Sequence, residues 1–281
     1  MDPLVQCDWL RARMGDRALR VFDATVQVNR LLGVPVVRSG RRDWRRAHVP
    51  VSGFADLRAL SDPRRPRRTF TLPTAEQFAA EMGRLGVTDG TEVVVYDARE
   101  NMWAARLWWL LRVFGFREAA VLDGGWAAWR RAGNPICSRL CGYEPATFVA
   151  RPSSGLIATK REVLDAIGDP DVCLVNALGR RQHRGELNEY GRRGHIPGSV
   201  NVTAWEVLDR ETQQYRPLPE LRRKTAAVLD HKRVITYCGG GIASASLALV
   251  LTRLGHQNVA VYDGGLQEWC SDPDLPLELG A

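Results

Sequence analysis

The sequence predicts an α/β protein built as two tandem copies of one unit, each a mainly parallel sheet flanked by helices. Three observations carry this. First, "VVVYDARENMWAARLWWLLRVFGFREAAVLDGGWAAW" (Val93 to Trp129) recurs in outline as "VITYCGGGIASASLALVLTRLGHQNVAVYDGGLQEW" (Val234 to Trp269). Second, β-branched runs alternate with helical patterns, the signature of parallel α/β units. Third, 281 residues are comfortable for two domains of ordinary size.

The elements follow in the same order in both halves. The N-terminus, "MDPLVQCDWLRARMGDRALRVFDA", begins acidic and turns helix-like. A strand follows in "RVFDAT" (Arg20 to Thr25), paralleled by "CLVNAL" (Cys173 to Leu178). A loop leads to a His-x-Pro turn, "RRAHVP" (Arg45 to Pro50) in one half and "RRGHIP" (Arg192 to Pro197) in the other. Then come a helix, a strand ending in Tyr, and a short loop. An apolar helix next runs to Gly115 or Gly255, and a strand, an Asp-Gly-Gly turn and a last helix close the unit. The Pro/Ser/Gly-bearing stretch "NPICSRLCGYEPATFVARPSSG" reads as a connection. The expected layout is a first copy at 1–137, a linker at 138–156 and a second copy at 157–281.

Asp97 and Cys238 hold equivalent places, each just after its strand and before its helix. In a parallel sheet, loops at the carboxyl ends of strands form the ligand crevice. Gly239, Gly240 and Gly241 let the backbone turn sharply after Cys238. Successive N–H groups can then form an anion nest, to which the helix start adds its own free N–H groups. Such a setting favours a thiolate, and would hold a persulfide anion equally well. The first copy has Asp97 there, with bulky Met102 and Trp103 nearby, so it reads as the inactive copy.

Composition removes other classes. No apolar run of about 18 residues supports a membrane span, and the N-terminus lacks the order of a signal peptide. A cytoplasmic protein without disulfides is expected from six scattered cysteines. Cys137 and Cys141 have a C-x3-C spacing, but no second Cys/His pair with ligand spacing accompanies them, so a plain loop and no metal are expected. The net charge is +7, and the positive charge is almost all arginine, clustered at Arg41 to His48 and Asp62 to Arg68. Trp44 is the one aromatic within these runs, too few for a base-stacking surface, so no nucleic acid is expected, whereas a small anionic substrate suits the charge.

The chain resembles the two-domain rhodanese-type sulfurtransferases, the thiosulfate and 3-mercaptopyruvate superfamily, from about Asp8 to Pro276. The resemblance is carried by "FDAT", "HVP", "YDARENMWAARLWW" and "LDGGWAAW", then "RGE", "GHIPGSVNV", "YCGGGIAS" and "YDGGLQEW". It implies that only the second domain is catalytic. Cys238 would carry a persulfide within the loop Gly239, Gly240, Gly241, Ile242, Ala243 and Ser244. The implied partners are a small anionic sulfur donor and a cyanide, thiol or protein-cysteine acceptor, with no cofactor and no metal.

Some positions depart from the family pattern. Gly240 replaces a hydroxyl residue of the mercaptopyruvate-type loop and Ala243 a later threonine, so the family's proton-relay hydroxyl is absent; Ser244 lies just beyond. Asn176, Ala177 and Leu178 stand where the family has Asp-Ala/Ser-Arg, which removes an arginine that holds the donor. Arg180 and Arg181 are candidates to replace it, although exposed arginines are the plainer expectation, and Arg184 keeps the Arg-Gly-Glu position. Asp62 aligns loosely with an acidic residue near the family's active site, but Phe70 stands where its histidine partner belongs. His48 and His195 are expected to order their turns, and Asp123 and Asp263 to cap or brace the last helices.

Two other classes compete with a sulfurtransferase. A cysteine phosphatase needs a Cys-x5-Arg loop, and position 244 is serine. A non-catalytic or sulfur-carrying pair that binds a partner would fit the lost arginine but not the retained Cys238.

Overall fold

The computed structural model describes residues 1–31, 34–64 and 70–280, so Arg65, Arg67 and Arg68 of the second arginine cluster lie outside the described residues. The chain forms two compact units, one of Met1–Ser153 with Arg210–Gln214, the other of Ser154–Asp209 with Tyr215–Ala281.

The first unit contains β1 (Leu4–Val5), α1 (Cys7–Ala12), β2 (Leu19–Asp23), β3 (Val26–Leu31), β4 (Val34–Ser39), α2 (Arg41–Arg46), β5 (Gly53–Phe54), α3 (Ala75–Arg84), β6 (Glu92–Tyr96), α4 (Met102–Val113), β7 (Ala119–Leu122) and α5 (Gly125–Arg131). The second contains β8 (Ile157–Ala158), α6 (Lys160–Asp165), β9 (Val172–Asn176), α7 (Arg180–His183), β10 (Val200–Asn201), α8 (Leu218–Lys224), α9 (Ala226–Leu229), β11 (Arg233–Tyr237), α10 (Ile242–Arg253), β12 (Val259–Tyr262) and α11 (Gly265–Trp269).

Each unit is built on a five-stranded sheet, ordered β1-β7-β6-β2-β5 and β8-β12-β11-β9-β10. All pairings within these sheets are parallel. Strands at matching places in the repeat therefore hold matching places in the sheets. Asp23 pairs in register with Tyr96, as Asn176 does with Tyr237. The antiparallel pair β3–β4 breaks the symmetry. Both strands lie within the stretch between β2 and the His-x-Pro turn that the repeat suggested as a loop, and they pair with each other and not with the main sheet.

The central strands and helices are apolar on every side because both sheet faces are covered. Val93, Val94 and Val95 are buried in β6, and Val234, Ile235 and Tyr237 in β11. Most of α4 and α10 is buried as well, as a helix apolar all round requires. Both helices end in the same way. Gly115 and Gly255 adopt φ of 87° and 94°. Phe116 N–H donates to Leu111 O and His256 N–H to Leu251 O, which satisfies carbonyls that a helix end leaves open. Elsewhere Thr74 caps α3, and Thr159 with Glu162 forms a capping box on α6.

The segment expected to link the halves is divided. Up to Ser153 it lies along the first unit, where Ala146 N–H donates to Gly83 O, Arg151 N–H to Phe114 O and the Tyr143 hydroxyl accepts from Val21 N–H. The chain enters the second unit at Ser154.

Candidate active site

Cys238 follows directly on β11, separated from α10 by three glycines, and is 3% exposed. Gly241 takes φ of 80° as the residue that opens the helix. The backbone of Cys238 is fixed from the other side by the Asp-Gly-Gly turn. Leu266 N–H donates to Cys238 O at 2.8 Å, and Gln267 N–H to Gly239 O at 3.0 Å. Gly265 has φ of 52°, and a Cβ there would lie 2.4 Å from Cys238 O. The first unit repeats this contact, with Gly125 against Asp97 O and Trp126 N–H donating to it. The motif's second glycine is thus a packing requirement of the loop. The N-cap residues of the two helices are Gly124 and Gly264, which have no side chain to cap with, and the Asp123 carboxylate accepts from Gln6 Nε2 at 3.1 Å.

Ser244, the third residue of α10, is fully buried and places Oγ 3.4 Å from Cys238 Sγ. The loop therefore does have a hydroxyl beside its sulfur, although the family position for it is empty. Sequence reasoning missed two further neighbours. A Cβ on Gly239 would lie 2.2 Å from the Tyr190 hydroxyl, and one on Gly240 would lie 3.1 Å from Gln267 Oε1. Tyr190 and Gln267 thus line the glycines closely. Their only sequence signal is indirect, in that residues 239 and 240 have no side chains.

The first unit shows what such a loop holds. Asp97 is wholly buried, and its carboxylate accepts N–H bonds from Arg99 at 2.8 Å, Asn101 at 3.2 Å and Ala104 at 2.8 Å. Burial raises this carboxyl, and the three N–H groups oppose the rise. Ala104 is the third residue of α4, the counterpart of Ser244 in α10. The cradle of the first copy is therefore occupied by its own side chain. Asn101, in the left-handed region at φ 57°, opens α4 where Gly241 opens α10, and its Nδ2 donates to Gln213 O.

The candidate arginines are engaged elsewhere. Arg180 makes a two-pronged pair with Glu206, both contacts at 3.1 Å, and Arg181 pairs with Glu186 at 3.0 Å. Both are largely exposed, which matches the plainer expectation. Arg184 lies 4.0 Å from Glu186. Leu178, at the family's arginine position, is buried. Asp62 belongs to the first unit, where its carboxylate holds Arg64, and Phe70 packs edge-on against Trp103.

Behind the cysteine strand, Asn176 Oδ1 accepts from Leu178 N–H while its Nδ2 donates to His183 Nδ1 at 3.1 Å. The His183 ring stacks on His195 at 3.7 Å, and burial lowers His183 to about 4. His195 orders its turn as expected: Nδ1–H donates to His183 O, and the backbone exchanges two bonds with Glu278.

A cysteine in a glycine cradle at a strand end, ahead of a buried helix, defines a class of α/β proteins that can hold a small anion on sulfur. The rhodanese-like domain model matches residues 6–132 and again 160–272, and the chain belongs to that family. It is 32% identical over 99% of its length to thiosulfate/3-mercaptopyruvate sulfurtransferase 1, mitochondrial, of Arabidopsis thaliana, covering 78% of that protein. It is 33% identical over 95% of its length to the thiosulfate sulfurtransferase of Rattus norvegicus, covering 91% of it. The crystal structure of SseA from Escherichia coli, a 3-mercaptopyruvate sulfotransferase by its description, superposes with a TM-score of 0.83 at 29% identity. That match covers 94% of this chain and 99% of SseA. Among the described residues no helix is long and apolar enough to cross a membrane.

Proposed function

We propose that the protein is a sulfurtransferase that moves a sulfane sulfur from thiosulfate or 3-mercaptopyruvate to a thiophilic acceptor through a persulfide on Cys238. The observation that carries this reading is the environment of Cys238 in a rhodanese-like unit, with glycines on one side and the Ser244 hydroxyl 3.4 Å from its sulfur.

The Cys238 thiolate attacks the outer sulfur of thiosulfate. The new S–S bond forms as the old one breaks, and sulfite leaves with the electron pair. With 3-mercaptopyruvate the C–S bond breaks, and the donor's thiol proton ends on the methyl carbon of pyruvate. Either route leaves a Cys238 persulfide anion. N–H groups of Gly240, Gly241 and Ser244, the counterparts of those that hold the Asp97 carboxylate, are suited to hold it. Cyanide, a thiol or a protein cysteine then takes the outer sulfur and restores the thiolate. Ser244 favours the mercaptopyruvate route, because only that donor needs a proton moved beside the sulfur. Arg184, and less directly Arg180 and Arg181, supply positive charge on the same unit, and Asp62 has no assigned step.

The test is intact mass after incubation with each donor. A gain of one sulfur atom, absent in Cys238→Ala, supports the reading; no gain from either donor overturns it.

A further inference from the structure

We propose that His48, Cys137 and Cys141 form a metal site for a thiophilic divalent ion of the zinc class, with two thiolates and one imidazole nitrogen as ligands and the fourth position open to solvent. The three ligand atoms lie within 4.8 Å of one another. The two sulfurs are 3.9 Å apart. Two thiolates bound at about 2.3 Å to one tetrahedral zinc ion stand about 3.8 Å apart, whereas a disulfide needs about 2.05 Å.

The histidine is prepared as a ligand. Its Nδ1–H donates to Trp44 O at 2.6 Å, which leaves the lone pair of the neutral ring on Nε2. This is the outer-shell arrangement that orients metal-binding histidines. The ring also stacks on Trp44, with centroids 4.6 Å apart. His48 is 0% exposed, and Nε2 has no hydrogen-bond partner among the described residues. Leaving such an atom unpaired in the interior is costly. Cys137 is tied to the histidine by two backbone bonds, His48 N–H to Cys137 O and Cys137 N–H to His48 O, both 2.9 Å.

The internal duplication supplies the comparison. His195 occupies the same turn, bonds through Nδ1 to a carbonyl and exchanges the same two backbone bonds with Glu278. Its Nε2 lies 3.7 Å from the Glu278 carboxylate. The first unit has kept the histidine and its Nδ1 support but replaced the carboxylate with two thiols. Cys137 and Cys141 are partly exposed, so an ion can reach the site from solvent. Both thiols contact Arg139 O, and binding one divalent ion releases their two protons to water. The site would fasten the chain after α5 to the His-x-Pro turn of the same unit.

The test uses the full chain, reduced and stripped with a chelator, and titrated without oxygen with Co2+ as the spectroscopic probe. Expected is thiolate-to-cobalt charge-transfer absorption that saturates at one ion per chain and is bleached by one equivalent of Zn2+. It persists in Cys238→Ala and is lost in the Cys137→Ser/Cys141→Ser double variant, whose folding is checked by circular dichroism. His48→Gln weakens binding by about 10-fold or more. Absorption that never saturates, survives in the double variant or disappears in Cys238→Ala overturns the proposal. So does a reduced chain that binds no cobalt, even where air oxidation joins Cys137 to Cys141.

Discussion

Ser244 Oγ stands 3.4 Å from Cys238 Sγ, one helical turn into α10 and out of contact with solvent. A hydrogen bond to a charged group contributes about 1.5–3 kcal/mol. Ser244→Ala is therefore expected to slow persulfide formation by about 10-fold or more, with the larger loss for 3-mercaptopyruvate. Single-turnover kinetics with both donors check this. Equal rates in variant and parent would remove the hydroxyl from the chemistry.

Gly239 and Gly240 differ in what a methyl group would meet. At 239 it strikes the Tyr190 hydroxyl and ring, and at 240 it meets the movable amide of Gln267. Gly239→Ala is expected to cut sulfur loading at least about 10-fold through displacement of the loop, a strain of the size that overpacking produces. Gly240→Ala is expected to cost much less. Adding Tyr190→Ala to Gly239→Ala should restore loading, and failure of that rescue would show that the glycine serves another purpose.

Asp97 satisfies three backbone N–H groups with one carboxylate, the Asn101 and Ala104 bonds buried and the Arg99 bond part-buried. Asp97→Ala leaves them unpaired and is expected to lower the stability of the first unit by about 3 kcal/mol. Asp97→Asn keeps an acceptor and costs less. Cys238 still gains its sulfur in either folded variant. Thermal unfolding and intact mass are the measurements, and loss of loading in a folded variant would give the first copy a part in the reaction.

Burial raises the Asp23 carboxyl to about 7, against about 3.9 in an unfolded chain. Between those values the folded chain keeps a proton that the unfolded chain has lost. Asp23 therefore favours folding in acid, and that contribution disappears as the pH rises through about 7. Asn176 is the neutral counterpart in the second sheet. Asp23→Asn is expected to stabilise the protein at pH 8 relative to pH 4 by on the order of 3 kcal/mol. Urea unfolding at the two pH values measures it, and a gain independent of pH would place the titration elsewhere.

The repeat, the parallel units and the cysteine loop were legible because their causes are local. Strand and helix periods follow from side chains a few residues apart, and Gly241, Gly115 and Gly255 mark turns that need a positive φ. The space around Gly239 was not legible, because Tyr190 comes from a distant loop. Ser244 was visible as a residue, but the direction of its hydroxyl depends on how β11, the glycines and α10 join.

By itself, then, the sequence determined two rhodanese-like copies, one with cysteine and one with aspartate at the strand end. Tertiary structure alone decided that Asp97 fills its own cradle, that Ser244 faces Cys238, and that His48 meets Cys137 and Cys141. Periodicity and turn chemistry act between neighbours in the chain. Parallel strands joined by helical crossovers bring together residues that no short-range pattern relates.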